Sequence, residues 1–401
     1  MLRDILHHPL LPYAIIIDIG SGSVGVAIIE IDSTQKKPLI LYTHQERIRV
    51  TTRKTEEERI RTLKEALLAA TLELSSNGMR ALAEHDPRAH VESIHVLYAA
   101  PWSEVVSRII KVEKEEPMKA TDALIATLVE EALKQADTAS NEVTIFAKTG
   151  LEVINKEIIS GKLNGYSVTH FTGQSCISIE ITHLSELAPK SVRDALRESE
   201  KNLLPHPQVT ERTFTSANAL VAQRLFPHTG DFITIEVTGE ATECAVIRDG
   251  ILYENFYTLF GAHSFERALA VRLGTIENEV RAHIRDYSIG ASHEEVTTAV
   301  QETREIYKNE CTLLLNRVKS KYVLPANIVV TIDPQYREFY RTLVEEIYSA
   351  VRSDYKIHTI DTEALASCVE YAEYTEEDQY IAIIALFFHM RLQNSAQEHT
   401  E

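Results

Sequence analysis

The sequence lacks the features that mark several common classes of protein. Its four cysteines show neither a paired-cysteine motif nor the spacing of a disulfide framework, which favours core thiols in a reducing compartment. No apolar run reaches the roughly 18 residues that a membrane-spanning helix needs, and the best one, residues 381–390, ends in His389 and Met390. Basic residues are outnumbered, 41 Lys and Arg against 59 Asp and Glu, so a net charge of −18 opposes binding to nucleic acid. We therefore expect a cytoplasmic protein with no transmembrane segment and no nucleic-acid partner.

Motifs of the common catalytic classes are also scarce. The 16 histidines form no HExxH pattern, and neither the GxSxG nor the GxxxxGK[ST] motif occurs. Zinc hydrolysis and serine hydrolysis have no support, and no catalytic residue is assigned. The composition is otherwise globular, with 44% hydrophobic and 25% charged residues. A chain of 401 residues has the length of two to three domains.

One segment near the start predicts a β-hairpin with an unusual turn. In residues 14–32, β-branched runs flank the turn Gly20–Ser23, where small side chains let several backbone N–H groups face one anion. Asp18 ends the first strand, where a carboxylate is suited to hold the water shell of Mg²⁺. By itself, such a turn is more often only structural.

A second segment, residues 232–252, repeats the pattern without a gap, 218 residues further on. Glu236 falls opposite Asp18, apolar residues fall opposite apolar residues, and the turn becomes residues 238–242. Two similar acid-tipped hairpins indicate a duplicated architecture with a cleft between its halves. We expect the turns at Gly22 and Gly239 to face each other across that cleft.

These segments resemble the phosphate motifs of the actin-like ATPase superfamily. DIGSGSVGVAII is similar to the first motif and IEVTGEATECAVIRDG to the second, while LNGY at 163–166 and THFTG at 169–173 follow the order of the bacterial FtsA (cell-division) and PilM (pilus-assembly) families. The resemblance implies an α/β, actin-like (ribonuclease H-like) fold of two duplicated lobes with an inserted α+β subdomain of the SHS2 type.

The resemblance also implies a division of the chain into four parts. Residues 1–91 and 184–228 form the first lobe and residues 92–183 the inserted subdomain. Residues 229–262 and 326–401 form the second lobe, and residues 263–325 its helical upper part. We also expect a strand near 143–147.

Local patterns predict particular helices. Thr55 with Glu58, and Ser292 with Glu295, have the spacing of capping boxes that begin helices. A helix over about 380–392 is apolar on more than one face, which favours burial over contact with lipid.

The resemblance implies a nucleotide-binding site formed by residues of these segments. It implies phosphate binding by Gly20, Ser21, Gly22, Ser23, Gly239 and Thr242, and ATP-linked Mg²⁺ held through water by Asp18 and Glu236. The sequence departs from the family pattern in three places. Residues 23–25 supply no cation, Thr238 stands where a glycine is usual, and residues 333–335 (Asp-Pro-Gln) replace the glycine turn that admits adenosine. These departures together predict weak or absent ATP hydrolysis.

The resulting functional hypothesis is a scaffold of cell division or pilus assembly. The resemblance implies protein partners that bind through the inserted subdomain or the interlobe groove, and it leaves self-association open. It also implies recruitment to the inner face of the cell membrane by a partner. The alternative is an active ATPase of the actin and chaperone superfamily that works by lobe closure.

Overall fold

A computed structural model describes residues 13–32, 34–48, 55–137, 150–168, 170–200 and 203–398. The strands are β1 (Tyr13–Ile19), β2 (Ser23–Glu30), β3 (Leu39–Arg47), β4 (Ser93–Tyr98), β5 (Glu104–Lys119), β6 (Leu151–Leu163), β7 (Tyr166–Ser167), β8 (Ser175–Pro189), β9 (Gln208–Thr213), β10 (Phe232–Val237), β11 (Thr242–Arg248), β12 (Ile251–Thr258), β13 (Asn327–Ile332), β14 (Lys356–Ile360) and β15 (Glu370–Tyr371). The helices are α1 (Glu56–Glu73), α2 (Met79–His85), α3 (Asp122–Asp137), α4 (Lys190–Glu200), α5 (Phe214–Leu225), α6 (Ala262–Leu273), α7 (Glu277–Ser288), α8 (Glu294–Lys321), α9 (Arg337–Ser349), α10 (Thr362–Ala366) and α11 (Gln379–Glu398).

The strands form two sheets, of six and nine strands. The first sheet has the order β15-β3-β2-β1-β4-β9, and the second has the order β14-β13-β10-β11-β12-β5-β8-β6-β7. At the centre of the first, β1 pairs antiparallel with β2 and parallel with β4. At the matching place in the second, β10 pairs antiparallel with β11 and parallel with β13. The expected duplication is therefore present in the strand pairing itself.

Successive side chains of each central strand lie on opposite faces of the sheet and so belong to two different hydrophobic cores. Side chains two residues apart lie on the same face of a strand, so Ile15 and Ile17 pack outward with α1 while Ala14 and Ile16 pack inward. The inner core also contains Phe232 of β10 and residues of both α5 and α11. These two helices contact each other and are shared by the two sheets. The central strands of both sheets are buried on both faces, which explains their nearly continuous runs of apolar residues.

The sheet pairing differs from the predicted boundaries at two places. Residues 93–98 were expected in the insert, but this strand pairs with β1 in the first sheet. Residues 370–371 were expected in the second lobe, but they pair with β3, and α11 packs on β1, β2 and β3. The strands β5, β6, β7 and β8 extend the second sheet through the Val106–Glu254 pair of β5 and β12. Sheet partners are set by contacts distant in sequence, which local patterns do not report.

Of the two predicted capping boxes, one is confirmed and the other is wrong. The capping box of Thr55 and Glu58 is present at the start of α1, which confirms that prediction. The second predicted capping box is wrong, because α8 begins after His293 and the Ser292 hydroxyl lies 2.6 Å from that of Thr297 instead. The expected strand near 143–147 and Thr169 of the THFTG segment lie outside the described residues. None of the described helices has the length and apolar character that a bilayer span requires.

Candidate functional site

The two acids predicted from the hairpins occupy equivalent positions at the ends of β1 and β10. Asp18 and Glu236 lie on the inward face of their strands, in line with Ala14 and Phe232. Both are buried, with 6% and 2% of their surface exposed. The repeat of hairpin geometry therefore brings two carboxylates to the same inner layer of the molecule.

The turns that follow these strands touch each other. The Ser21 and Thr238 hydroxyl oxygens are 2.6 Å apart, and the Glu240 N–H donates to the Ser21 hydroxyl at 2.8 Å. A Cβ placed on Gly22 would lie only 2.9 Å from the Cα of Gly239. The prediction that the two turns face each other is confirmed, and they do so at contact distance.

A cleft of about 230 Å³ lies beside this contact. Its lining includes the following predicted residues: Asp18, Gly20, Ser21, Gly22, Ser23, Glu236 and Gly239. Thr242 lies elsewhere: its hydroxyl donates to the Phe260 carbonyl at 2.8 Å and is 3.1 Å from the hydroxyl of buried Tyr307. The structure thus gathers the predicted set except Thr242, whose alternation along β11 turns it away from the cleft.

The carboxylates at the cleft resist ionisation. Burial raises the pKa of Asp18 to about 8, with a further contribution from the negative charge of Asp378. Burial, together with Glu243 and Asp18, raises the pKa of Glu236 well above its usual range. One oxygen of Asp18 and one of Glu236 have no hydrogen-bond partner. Uncompensated acids in a dry environment hold their protons, because burial penalises the charged form.

Cations reach the cleft from parts of the chain that local motifs did not indicate. Arg47 of β3 and Arg281 of α7 both line it. Arg47 lies opposite Ser23 in the β2–β3 register, a pairing that the structure shows and that no local pattern in the sequence indicates. Both guanidinium groups bind Glu266, which has 0% of its surface exposed and also accepts from the Tyr336 hydroxyl. The predicted lack of a cation therefore holds for residues 23–25 and not for the cleft as a whole.

The segment that replaces the adenosine turn is itself ordered by a side chain. Asp333 accepts a hydrogen bond from the Gln335 N–H at 3.0 Å and begins a short 3₁₀ turn, Pro334–Tyr336. Asp333 and Gln335 line the cleft, so side chains stand where the resemblance implies bare backbone.

These residues do not fit a nucleotide triphosphate with its metal. The turns that would hold phosphate between them are in contact, and the cleft is smaller than the roughly 300–1,000 Å³ of typical ligand pockets. In the part of the chain that the structure describes, no group of three or more His, Cys, Asp or Glu side chains is arranged to hold a metal ion.

Comparison with known proteins identifies the fold that carries this site. No protein-family model matches the sequence, and no curated protein matches it either. The chain is similar to a solved chain of the PilM–PilN type IV pilus biogenesis complex, with a TM-score of 0.58, 14% identity, and coverage of 96% of this chain and 99% of that one.

Two further solved structures are more distant. The ethanolamine utilization protein EutJ from Carboxydothermus hydrogenoformans has a TM-score of 0.42, 12% identity, and coverage of 96% and 94%. A protein of unknown function with the actin-like ATPase fold from Bacteroides thetaiotaomicron has a TM-score of 0.44, 9% identity, and coverage of 90% and 97%. The chain has the α/β fold of the actin-like ATPase superfamily over nearly its whole length.

Proposed function

We propose that this actin-like chain is a scaffold of pilus assembly that holds a protein partner and does not depend on ATP turnover. The observation that carries the proposal is the contact between the two turns, Ser21 to Thr238, at the place where members of the superfamily hold phosphates. The similarity to a chain of the PilM–PilN complex supports the pilus system over cell division.

The chemistry of the cleft supports a weak or absent ATPase. Among the acids of the duplicated hairpins, Asp18 and Glu236 line the cleft, and burial raises the pKa of both, to about 8 for Asp18. A carboxyl that keeps its proton lacks the negative charge that attracts Mg²⁺ and its water shell. Arg47 and Arg281 are committed to Glu266, so they neutralise a protein carboxylate rather than a phosphate.

Partner binding would also determine where the scaffold acts. A net charge of −18 disfavours direct adsorption to an anionic lipid surface. We place the protein in the cytoplasm, recruited to the inner face of the membrane by a PilN-type partner, which would bind through the inserted strands β5–β8 or the interlobe groove.

One experiment tests partner and location together. PilN from the same organism is reconstituted into anionic liposomes, and the purified chain is sedimented with these liposomes or with empty ones. The chain should pellet only with PilN-bearing liposomes, to the same extent with and without Mg-ATP. Pelleting with empty liposomes, or none with PilN, would overturn the proposal.

A parallel measurement separates the scaffold from the alternative ATPase. Calorimetry should give a dissociation constant for Mg-ATP weaker than about 100 μM, which corresponds to less than about 5.5 kcal/mol of binding free energy. Phosphate release should not rise above that of buffer. Low-micromolar affinity with steady turnover would support the enzyme instead.

A further inference from the structure

A histidine occupies the space beside both turns. His263 is the second residue of α6, and its N–H donates to the Gly239 carbonyl at 2.7 Å. Its ring packs against both turn glycines, since a Cβ on Gly22 or Gly239 would lie 2.7 Å or 2.6 Å from Nδ1. Burial and the nearby Arg47, Arg281 and Arg267 lower the pKa of His263 to about 3. The ring is therefore a neutral side chain packed at the junction of the turns.

Hydrogen bonds beside the cleft also connect the two turns. Ser21 of the first turn binds the Thr238 hydroxyl and the Glu240 N–H of the second. The Glu240 carboxylate is held in turn by Arg267 at 2.7 Å and by Ser264 at 3.0 Å, both on α6. The second turn is thus braced against α6 at the same time as it binds the first.

An ion-pair network joins the lobes at a second point. Arg47 belongs to the first sheet, and its guanidinium lies 3.3 Å from Glu266 on α6 and 3.0 Å from Glu277 on α7. Glu266 is fully buried and also binds Arg281 at 2.8 Å. Removal of one cation would leave the negative charge of buried Glu266 only partly neutralised, which is unfavourable. The network therefore favours the arrangement in which Arg47 of the first sheet contacts α6 and α7.

We propose that the two lobes are locked in a closed state by the protein's own side chains, without nucleotide. His263 fills the junction, Ser21 fastens the two turns, and Arg47 joins the first sheet to α6 and α7. The lock deepens the proposed function and rests on it in one respect: a scaffold that does not depend on ATP turnover needs another means to close its lobes. Gly22 and Gly239 are required because closure leaves no room for a side chain on either.

A steric wedge tests the lock in the protein free of nucleotide. Gly22→Ala places a methyl group within 2.9 Å of Gly239 and 2.7 Å of His263, so the turns must separate. Gly25→Ala, in the same hairpin, is the matched control, because its added methyl group would make ordinary contacts at 3.4 Å. Hydrogen exchange is followed by mass spectrometry on peptides that cover residues 19–24 and 236–242.

In the unmodified protein these peptides should be protected, and Gly22→Ala should speed their exchange at least tenfold while Gly25→Ala does not. Arg47→Ala is the second variant, in case Gly22→Ala fails to fold, with Arg285→Ala as its control on an exposed part of α7. Arg47→Ala should speed exchange at least threefold in the same peptides and increase the radius of gyration in X-ray scattering.

The lock is wrong if the unmodified turns exchange without protection, or if each variant matches its control. Mg-ATP is then added to the unmodified protein as a separate arm. Slower exchange of the turns with Mg-ATP, starting from unprotected turns, would show that nucleotide closes the lobes and would overturn the lock. A protected apo protein that nevertheless hydrolyses ATP would leave the lock standing and overturn the proposed function instead.

Discussion

The two hairpins have the same backbone plan but differ at the residue that pairs with the acid at the end of the first strand. Asp18 pairs with Gly25 across β1 and β2, whereas Glu236 pairs with Glu243 across β10 and β11. The side chain of Ile381, on α11, lies 3.4 Å from the place that a Cβ on Gly25 would occupy. In the second hairpin the same position carries a buried carboxylate.

That carboxylate gives the second hairpin an architectural role. Glu243 accepts hydrogen bonds from the Thr215 hydroxyl at 2.5 Å and the Asn255 amide at 2.7 Å. The Asn255 oxygen accepts in turn from the Val105 N–H, at the start of the inserted strands. The second hairpin therefore connects α5, β12 and β5 through Glu243, whereas Gly25 at the same position of the first hairpin has no side chain to make such a link. Duplicated hairpins can thus diverge, so that one of them gains a hydrogen-bonded connection to neighbouring elements.

The largest expected effect comes from the acid of the first hairpin. The pKa of Asp18 is about 8 in the folded protein against 3.8 for the free group, so the folded state holds the proton more tightly. Stability from this group is fully present below about pH 4 and is lost as the pH rises towards 8. Asp18→Asn should match the unmodified protein near pH 4 and exceed it at pH 8 by about 5 kcal/mol, at about 1.4 kcal/mol per pKa unit.

Urea unfolding across this pH range measures the difference. The difference between the two curves contains the shift of Asp18 and the part of the Glu236 shift that the charge of Asp18 causes. Asp194→Asn, at a partly exposed position on α4, is the control for the substitution itself. An Asp18→Asn variant that is less stable at pH 8 would mean that the carboxylate is charged and compensated in the fold.

The site was predictable to the extent that its residues belong to local patterns. The repeated pattern of apolar strands around an acid-tipped turn located Asp18 and Glu236, and the facing turns followed from the duplication. Arg47 and Arg281 were missed because they reach the cleft from a third strand and a distant helix. Thr242 was misplaced because the alignment carried over a role without the direction of its side chain. The pairing of residues 370–371 with β3 depends on contacts more than 300 residues apart in sequence, so no local signal marks it.

A medium effect is expected from the second hairpin's carboxylate. Glu243→Ala removes the acceptor of Thr215 and Asn255 and leaves their donors buried, which should cost about 2–3 kcal/mol of stability in urea unfolding at neutral pH. Glu243→Gln is the matched control, because its amide oxygen can still accept both hydrogen bonds, and it should lose less than half as much. Equal losses for the two variants would show that the charge of Glu243, rather than its acceptor role, stabilises this hairpin.

The smallest effect is expected at Thr242, whose counterpart in the first hairpin is Val24. Since the Thr242 hydroxyl donates to the Phe260 carbonyl and lies near Tyr307, Thr242→Val should cost about 1 kcal/mol of stability by removing one buried hydrogen bond. Thr298→Val, on the exposed side of α8, is the control and should cost less. The variant should leave Mg-ATP affinity unchanged, because the hydroxyl points away from the cleft. Unchanged stability together with weakened ATP binding would instead restore Thr242 to the phosphate site that the sequence predicts, a role that Val24 cannot have in the first hairpin.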